Sequence, residues 1–400
     1  MSYLTQSKLA APSTPASGKG TWYIDVNGEP RFKDDNGVDI ALSPKWKYNW
    51  MRNGGFWFAQ RQAPGTLTTY SNLTGRAIAA DGWGITNENA SVQYLRVDTM
   101  TSPETNLYAR YYGQFTKITS TGKLVISQVV EGFDTANLRG STFRIQAKIK
   151  AVTSNITVRL AVAFLTTGSP DTGMPATFVT AFGANATDPT LGTNLAYITP
   201  KAGVNADGGT VRGNAIDCTV TSAVWGRFGG VFDIPTSARN IVILVFSDSQ
   251  LIPNNGISIS EVSLTDGQAT QDWAPNSISQ ELVKVQRFYC KSFNIDVLPA
   301  QNVGLVGAVR GYVSVAGATA NQPVGVRFPV PMRAAPTTFV FYNPSAANAF
   351  ARNTTAATNA TALALGGTSG DQGFDAFFTG IAAWTIAQSV AFHFTADAEI

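Results

Sequence analysis

The chain has 400 residues, enough for two or three domains with real cores. Charged residues make up 14% of it and the formal net charge is +3. With no basic cluster anywhere, this argues against a nucleic-acid partner, and the absence of an eighteen-residue apolar run argues against a membrane-spanning helix.

Residues 1 to 21 carry no periodic pattern. Pro12, Pro15, Gly18 and Gly20 among small residues read as an extended tail that folds only against a partner. The start lacks the charged and apolar regions of a signal peptide, so synthesis in a cytoplasm is expected. From Trp22 to Leu42 two Asn-Gly pairs, Asn27-Gly28 and Asn36-Gly37, separate short strand-like runs. Asn-Gly supplies the positive φ angles of tight hairpin turns, which predicts a small three-stranded meander.

Between 43 and 272 the pattern predicts strands over 91–97, 124–130, 143–151, 156–165, 224–233, 240–247 and 256–264, with turn residues between them. Strands this short and dense predict a β-sandwich of jelly-roll type. Residues 166–223 break the rhythm with Gly, Asp, Asn, Thr and Pro, and read as a long loop region of the kind that carries binding.

The best helix candidate is the connector, 273–293, WAPNSISQELVKVQRFYCKSF. Ser277 stands three residues before Gln280, which is capping-box spacing. Ile278, Leu282, Val285 and Tyr289 recur at steps of four, three and four, forming one stripe. The stripe packs either on a sheet of its own chain or on two other copies at a symmetry axis, as a trimer seam.

Residues 294–400 read as a second β unit, with strands over 303–315, 324–330, 337–342, 374–378 and 389–395 and a loop over 344–362. The predicted fold is therefore all-β. An extended N-terminal segment with a meander (1–45) precedes a jelly-roll β-sandwich (46–272), a short connector helix (273–293) and a second β-sandwich (294–400).

Three segments carry a family resemblance. APSTPASGKGTWYIDVNGEPRFKDDNGVDIAL resembles short N-terminal modules of tailed-bacteriophage fibres. The resemblance implies virion attachment through Leu9, Pro12, Pro15, Trp22 and Tyr23, to head, neck or tail structural proteins. Asn53-Gly-Gly-Phe-Trp-Phe-Ala-Gln-Arg61, Ala80-Asp-Gly-Trp83 and Ile257-Ser-Ile-Ser-Glu-Val-Ser-Leu264 are similar, in order and spacing, to a jelly-roll module of phage tail and fibre proteins, itself similar to carbohydrate-binding modules. That family runs into a Glu-Leu…Cys-Gln-Arg-Tyr-Tyr segment; here Cys290 has moved behind Gln286-Arg287-Phe288-Tyr289. FPVPMRAAPT and the final Ala396-Asp-Ala-Glu-Ile400 resemble the C-terminal domains of such fibres.

Little in the sequence points to catalysis. No phosphate loop and no Cys/His pair at metal spacing occur, so no cofactor or metal is expected. The single histidine, His393, alternates with phenylalanines in a strand and reads as structural; Cys218 and Cys290 read as buried small residues. Asp81, Glu88, Glu104, Glu131 and Asp134 are candidate acids for glycan cleavage, but their spacing selects no pair, and Glu131 reads equally as an ion-pair partner. For sugar binding the candidates are Asp81 and Trp83, with Tyr111 and Tyr112, against core packing for the same aromatics.

The reading that results is non-enzymatic: a homotrimeric fibre or spike of a tailed-phage virion, assembled in the host cytoplasm and contacting host surface polysaccharide. The alternatives are a secreted carbohydrate-binding protein and a glycan-cleaving fibre.

Overall fold

A computed structural model describes residues 10–24, 30–36, 39–41, 48–63, 65–71, 75–89, 91–202, 209–267, 273, 275–316 and 321–399. Among these the chain is all-β apart from two short helices, Gly132–Leu138 and Ile278–Gln286. The first helix has no counterpart in the sequence reading.

Thr21–Ile24, Pro30–Lys33 and Asp39–Ala41 form the antiparallel three-stranded meander that the Asn-Gly pairs predict. Both Asn-Gly turns fall partly or wholly outside the described residues, as does Leu9. Trp22 is exposed and lies 5.2 Å from the Phe32 ring, while Tyr23 is buried. Pro12 and Pro15 are half-buried, and Lys33 donates to the Pro12 carbonyl at 2.8 Å.

The first sandwich has two facing antiparallel sheets. One runs Gly226–Asp233, Thr142–Ala151, Gly256–Asp266, Tyr111–Lys117, Val92–Asp98, Thr68–Tyr70. The other runs Thr210–Arg212, Ala215–Val220, Ile156–Leu165, Ile241–Ser247, Leu124–Val130, Trp83–Asn87, Ala77–Ala80, with Leu195–Ile198 beside Ile156–Leu165. Alternate residues meet in the core: Phe143, Ile145 and Ile149 from the first sheet, Leu160, Val162 and Ile243 from the second.

Strands LVISQVV and IVILVFS of the second sheet are buried along their whole length. This explains their lack of polar alternation, since both faces are covered. The cover is the segment expected to be a loop. It contains Val179–Ala181, Thr190–Leu191, Leu195–Ile198 and Thr210–Arg212 before Ala215–Val220. Phe178, Val179, Leu191 and Tyr197 pack on Val129, Val242, Leu244 and Phe246. Much of 166–223 is thus a lid of packed short strands, because its scattered apolar residues find a hydrophobic sheet face beneath them.

The connector helix starts where the capping box predicts: Gln280 N donates to Ser277 Oγ at 3.3 Å and Ser277 N to Gln280 Oε1 at 3.1 Å. It ends at Gln286, well short of residue 293, and Tyr289–Lys291 is a strand paired with Ser389–Asp397. The four residues of the expected trimer seam differ in burial. Val285 and Tyr289 are buried in their own chain, Leu282 is half-buried and Ile278 is exposed. The helix is anchored locally: Asn53 N donates to Glu281 at 2.6 Å, Lys284 to the Asn49 carbonyl at 2.8 Å, and Arg287 pairs with Glu131 at 2.9 Å.

The second sandwich centres on Ser389–Asp397, which pairs with Tyr289–Lys291, Val309–Tyr312, Thr338–Tyr342 and Arg352–Asn353. Asn321–Arg327, Gly373–Thr379 and Ala362–Gly370 form the facing sheet over a phenylalanine-rich core with Trp384. The strand expected over 303–315 shrinks to Val309–Tyr312, and the expected 344–362 loop contains a short hairpin, Arg352–Asn353 with Thr358–Asn359. His393 is fully buried, 3.0 Å from Ser292 Oγ and 2.9 Å from the Gly304 carbonyl, and stacked on Phe293. Cys218 and Cys290 are free and buried, and burial pushes the Cys290 thiol up to about 12.

Candidate functional site

The outer face of the six-stranded sheet gathers the polar and aromatic groups that sequence alone did not bring together. Strand alternation sends Ile145, Ala147 and Ile149 to the core and the intervening Gln146, Lys148 and Lys150 outward. Register then fixes the neighbours, since directly paired residues share a face. Lys148 stands between Arg227 and Ser260, and Lys150 beside Ser258, which is next to Gln114. Tyr112 emerges on the same outer face, one residue before Gly113 and three before the core residue Phe115.

A β-bulge adds an acid to this face. Gln146 pairs with Ser263 but Lys148 with Ser260, so two residues face one, and Glu261 takes a φ of 51°. Its carboxylate pairs with Lys148 at 3.1 Å and accepts the backbone N–H groups of Tyr108 and, at 3.0 Å, Ala109.

Residues 99–110 join Val92–Asp98 to Tyr111–Lys117 and fold back over the face. Glu104 reaches down from them. Tyr112 OH donates to Glu104 Oε1 at 3.2 Å, Trp225 Nε1 to Glu104 Oε2 at 3.2 Å, and Lys150 pairs with it at 2.5 Å. The Tyr112 and Trp225 rings meet edge to face at 5.1 Å, a pairing that contributes about 0.5–1.5 kcal/mol beyond burial. Tyr108, next along, is 81% exposed, with the Lys148 ammonium 4.3 Å from its ring. Tyr108, Gln146, Lys148, Arg227, Glu261 and Trp273 line a recess of about 20 Å³, room for one water.

Of the residues predicted for sugar binding, Tyr112 belongs to this cluster. Tyr111 is half-buried at the inner side, against Trp57 and under Arg96. Asp81 and Trp83 lie apart from it, in the interior. Trp83 is completely buried, stacked on Phe56 at 5.3 Å, with its indole N–H donated to the Asn53 carbonyl. Asp81 is buried in an ion pair with Arg61 at 3.1 Å. Neither offers a surface to a ligand. Trp225, which is buried, and the exposed Tyr108 join the cluster without a sequence motif that points to either. The signal for Tyr112 was present: it alternates with Phe115 in YYGQF, so the two must face opposite sides.

Four of the five candidate acids are engaged separately. Asp81 holds Arg61, Glu88 accepts from Lys123 N, Glu104 holds Lys150, and Glu131 holds Arg287. Asp81 and its partners belong to a buried ion cluster at the junction of the two sandwiches. Arg61 also pairs with Asp397 at 2.8 Å, Glu399 accepts from Gly82 N at 3.1 Å, and Arg52 lies 3.7 Å from Glu399 and 3.3 Å from the Phe288 ring centre. Nearby, Lys291 donates to the carbonyls of Gln60, Ile295 and Val297, and burial pulls its ammonium down to about 8. No group of acids, histidines and cysteines suited to a metal ion occurs among the described residues.

No family model matches the chain, and no curated protein does. Similar solved structures exist, each at low identity. TmCBM61, in complex with β-1,4-galactotriose, is 13% identical with a TM-score of 0.29, over 55% of this chain and 99% of that one. The family 11 carbohydrate-binding module from Clostridium thermocellum, in complex with a β-1,3-1,4-mixed-linked tetrasaccharide, is 14% identical with a TM-score of 0.24, over 53% and 100%. The enzymatically active domain of tailspike protein 4 of bacteriophage CBA120 is 12% identical with a TM-score of 0.26, over 55% of this chain and 21% of that one. At these TM-scores the likenesses assign neither ligand nor chemistry.

Proposed function

We propose that the chain is a non-catalytic glycan-binding protein that uses the outer face of its six-stranded sheet. The observation that carries this reading is the exposed Tyr108 ring, at the end of the 99–110 connection, standing on Lys148 with Gln146, Arg227 and Glu261 of the sheet around it. Sugar rings offer apolar C–H faces to such a ring and hydroxyls to such amides and charges. The biological setting we infer is a tailed-phage virion, on the three ordered sequence resemblances. Residues 1–45 would attach to head or tail proteins, 46–272 form the body, 273–293 join the units, and 294–400 face outward.

A homotrimer suits this role, because weak sites on several chains add avidity. Its support is a set of large apolar side chains left exposed around the connector: Ile278 and Val283 on the helix, Tyr48 beside Lys284, and Phe133 close to the Glu131–Arg287 pair. Two measurements test the reading. Light scattering of the full chain should give a trimer that survives dilution and that Phe133→Glu with Val283→Glu converts to monomer. An array of bacterial surface glycans should be bound by the wild type and lost with Tyr108→Ala. A clean monomer that binds no glycan would end both parts of the proposal.

A further inference from the structure

The segment 99–110 closes the floor of the proposed glycan face. The recess beside Tyr108 holds about 20 Å³, whereas ligand pockets run to about 300–1,000 Å³. Beneath the segment, three different donors converge on one carboxylate: the Lys150 ammonium, the Tyr112 hydroxyl and the Trp225 indole N–H all address Glu104. The Tyr112 and Trp225 rings flank that carboxylate.

We infer that Glu104 is an internal stand-in for the carboxylate of an acidic sugar, and that 99–107 is a strap that lifts off, leaving Tyr108 in place beside it, when a uronic-acid polysaccharide binds. This rests on the glycan-binding reading of the same face and names its substrate class and its gate.

The chemistry of the donors sets the class. An ammonium beside two neutral donors favours an anionic acceptor over a hydroxyl, since charge-assisted hydrogen bonds are about twice as strong as neutral ones. A ring attached to the carboxylate finds aromatic surface directly beside the donors. The strap's own hold suits displacement. Met100 points into solvent, so this large side chain anchors nothing by burial. The strap's own ties to the sheet are polar, Glu104 to the three donors and the Asn106 carbonyl to Lys148, while its end is fixed where Ala109 is buried and Glu261 holds the Tyr108 and Ala109 N–H groups. A ligand carboxylate can replace the Glu104 contacts one for one, and segments with few apolar contacts open at low free-energy cost.

The experiment compares polygalacturonate with a neutral galactan on wild type, Glu104→Ala, Glu104→Ala/Lys150→Met and Tyr108→Ala, with binding read by calorimetry. Thermal unfolding shows that each variant folds. Glu104→Ala should bind the acidic polymer at least tenfold tighter than wild type, with little change for the neutral one. Adding Lys150→Met should abolish the gain. Hydrogen exchange gives an independent readout: on the wild type, acidic polymer should speed exchange of the amides of 101–107, which lie in the part of the strap that Glu104 holds down. Unchanged or weaker acidic binding by Glu104→Ala, or slower exchange in 101–107, overturns the strap. If the neutral galactan still binds and Tyr108→Ala removes it, the strap fails while the glycan-binding reading stands; if no variant binds either polymer, both fail.

Discussion

The ion cluster at the sandwich junction and the charge cluster on the outer face use the same side-chain types in opposite circumstances. At the junction, Arg61, Asp81 and Glu399 are enclosed by protein, and their partners come from both sandwiches. On the outer face, Lys150 and Glu104 come from one sandwich and lie partly exposed under a thin segment, with the buried Lys148–Glu261 pair beside them. A buried charge cannot lose its partner without facing an uncompensated desolvation cost, while a charge near water can exchange its partner for a ligand or solvent. The junction therefore acts through stability, and the outer face through binding.

The largest effect expected is at the junction. Arg61→Ala takes the paired guanidinium away from the buried Asp81 and from the Tyr289 ring, 3.9 Å away. Breaking a buried pair on one side costs about 3–5 kcal/mol. Urea unfolding should show that loss in the midpoint without a matching change in glycan binding. A loss below about 1 kcal/mol would mean that water reaches the junction and that the contrast is false.

The same cluster should set the acid sensitivity of the fold. Burial pushes the Glu399 carboxyl up, but the Arg52, Arg61 and Arg76 charges together hold it below its ordinary value. A depressed folded value gives stability that is present above the unfolded pKa of about 4.3 and is lost as pH falls through the folded one. Asp81 runs the other way: burial outweighs Arg61 and raises it, so its own contribution grows as pH falls. Glu399→Gln should flatten the loss of stability below about pH 5, and Asp81→Asn should steepen it. Chemical-denaturant midpoints measured from pH 6 to pH 3 separate the two signs.

Neither cluster was legible in the sequence, and the reason is distance along the chain. The capping box of Ser277 and Gln280 could be read because its partners are three residues apart. Likewise the fully buried strand 124–130 announced itself as a strand through its apolar run. By contrast, Asp81 and Asp397 meet at one arginine only because the second sandwich folds back on the first. For Trp83 the sequence leaves sugar binding and core packing both open, and the core reading holds because Phe56 and Asn53 arrive from another segment. The Glu261 bulge depends on how Gln146 and Lys148 pair with a strand more than a hundred residues on, which no local pattern encodes.

An intermediate effect is expected at the connector, whose cap is exposed while Glu281 is buried. Ser277→Ala removes one capping bond and should cost about 1 kcal/mol, and Ser277→Gly only a few tenths. Equal losses for both would show that the helix is held by Glu281 and Val285 alone.

The smallest effect on stability, and the sharpest on binding, is expected at Tyr108. Its ring is 81% exposed and touches the fold through the Lys148 ammonium, a contact of about 0.5–1 kcal/mol at an exposed site. The Tyr108 N–H that Glu261 accepts belongs to the backbone and survives substitution. Tyr108→Ala should therefore lower the unfolding free energy by no more than about 1 kcal/mol. Glycan binding should fall by about tenfold or more, since aromatic anchors dominate binding energies. If Tyr108→Ala instead destabilised the fold by about 2 kcal/mol, the ring would have to pack in the protein, and the outer face would belong with the junction as a structural cluster.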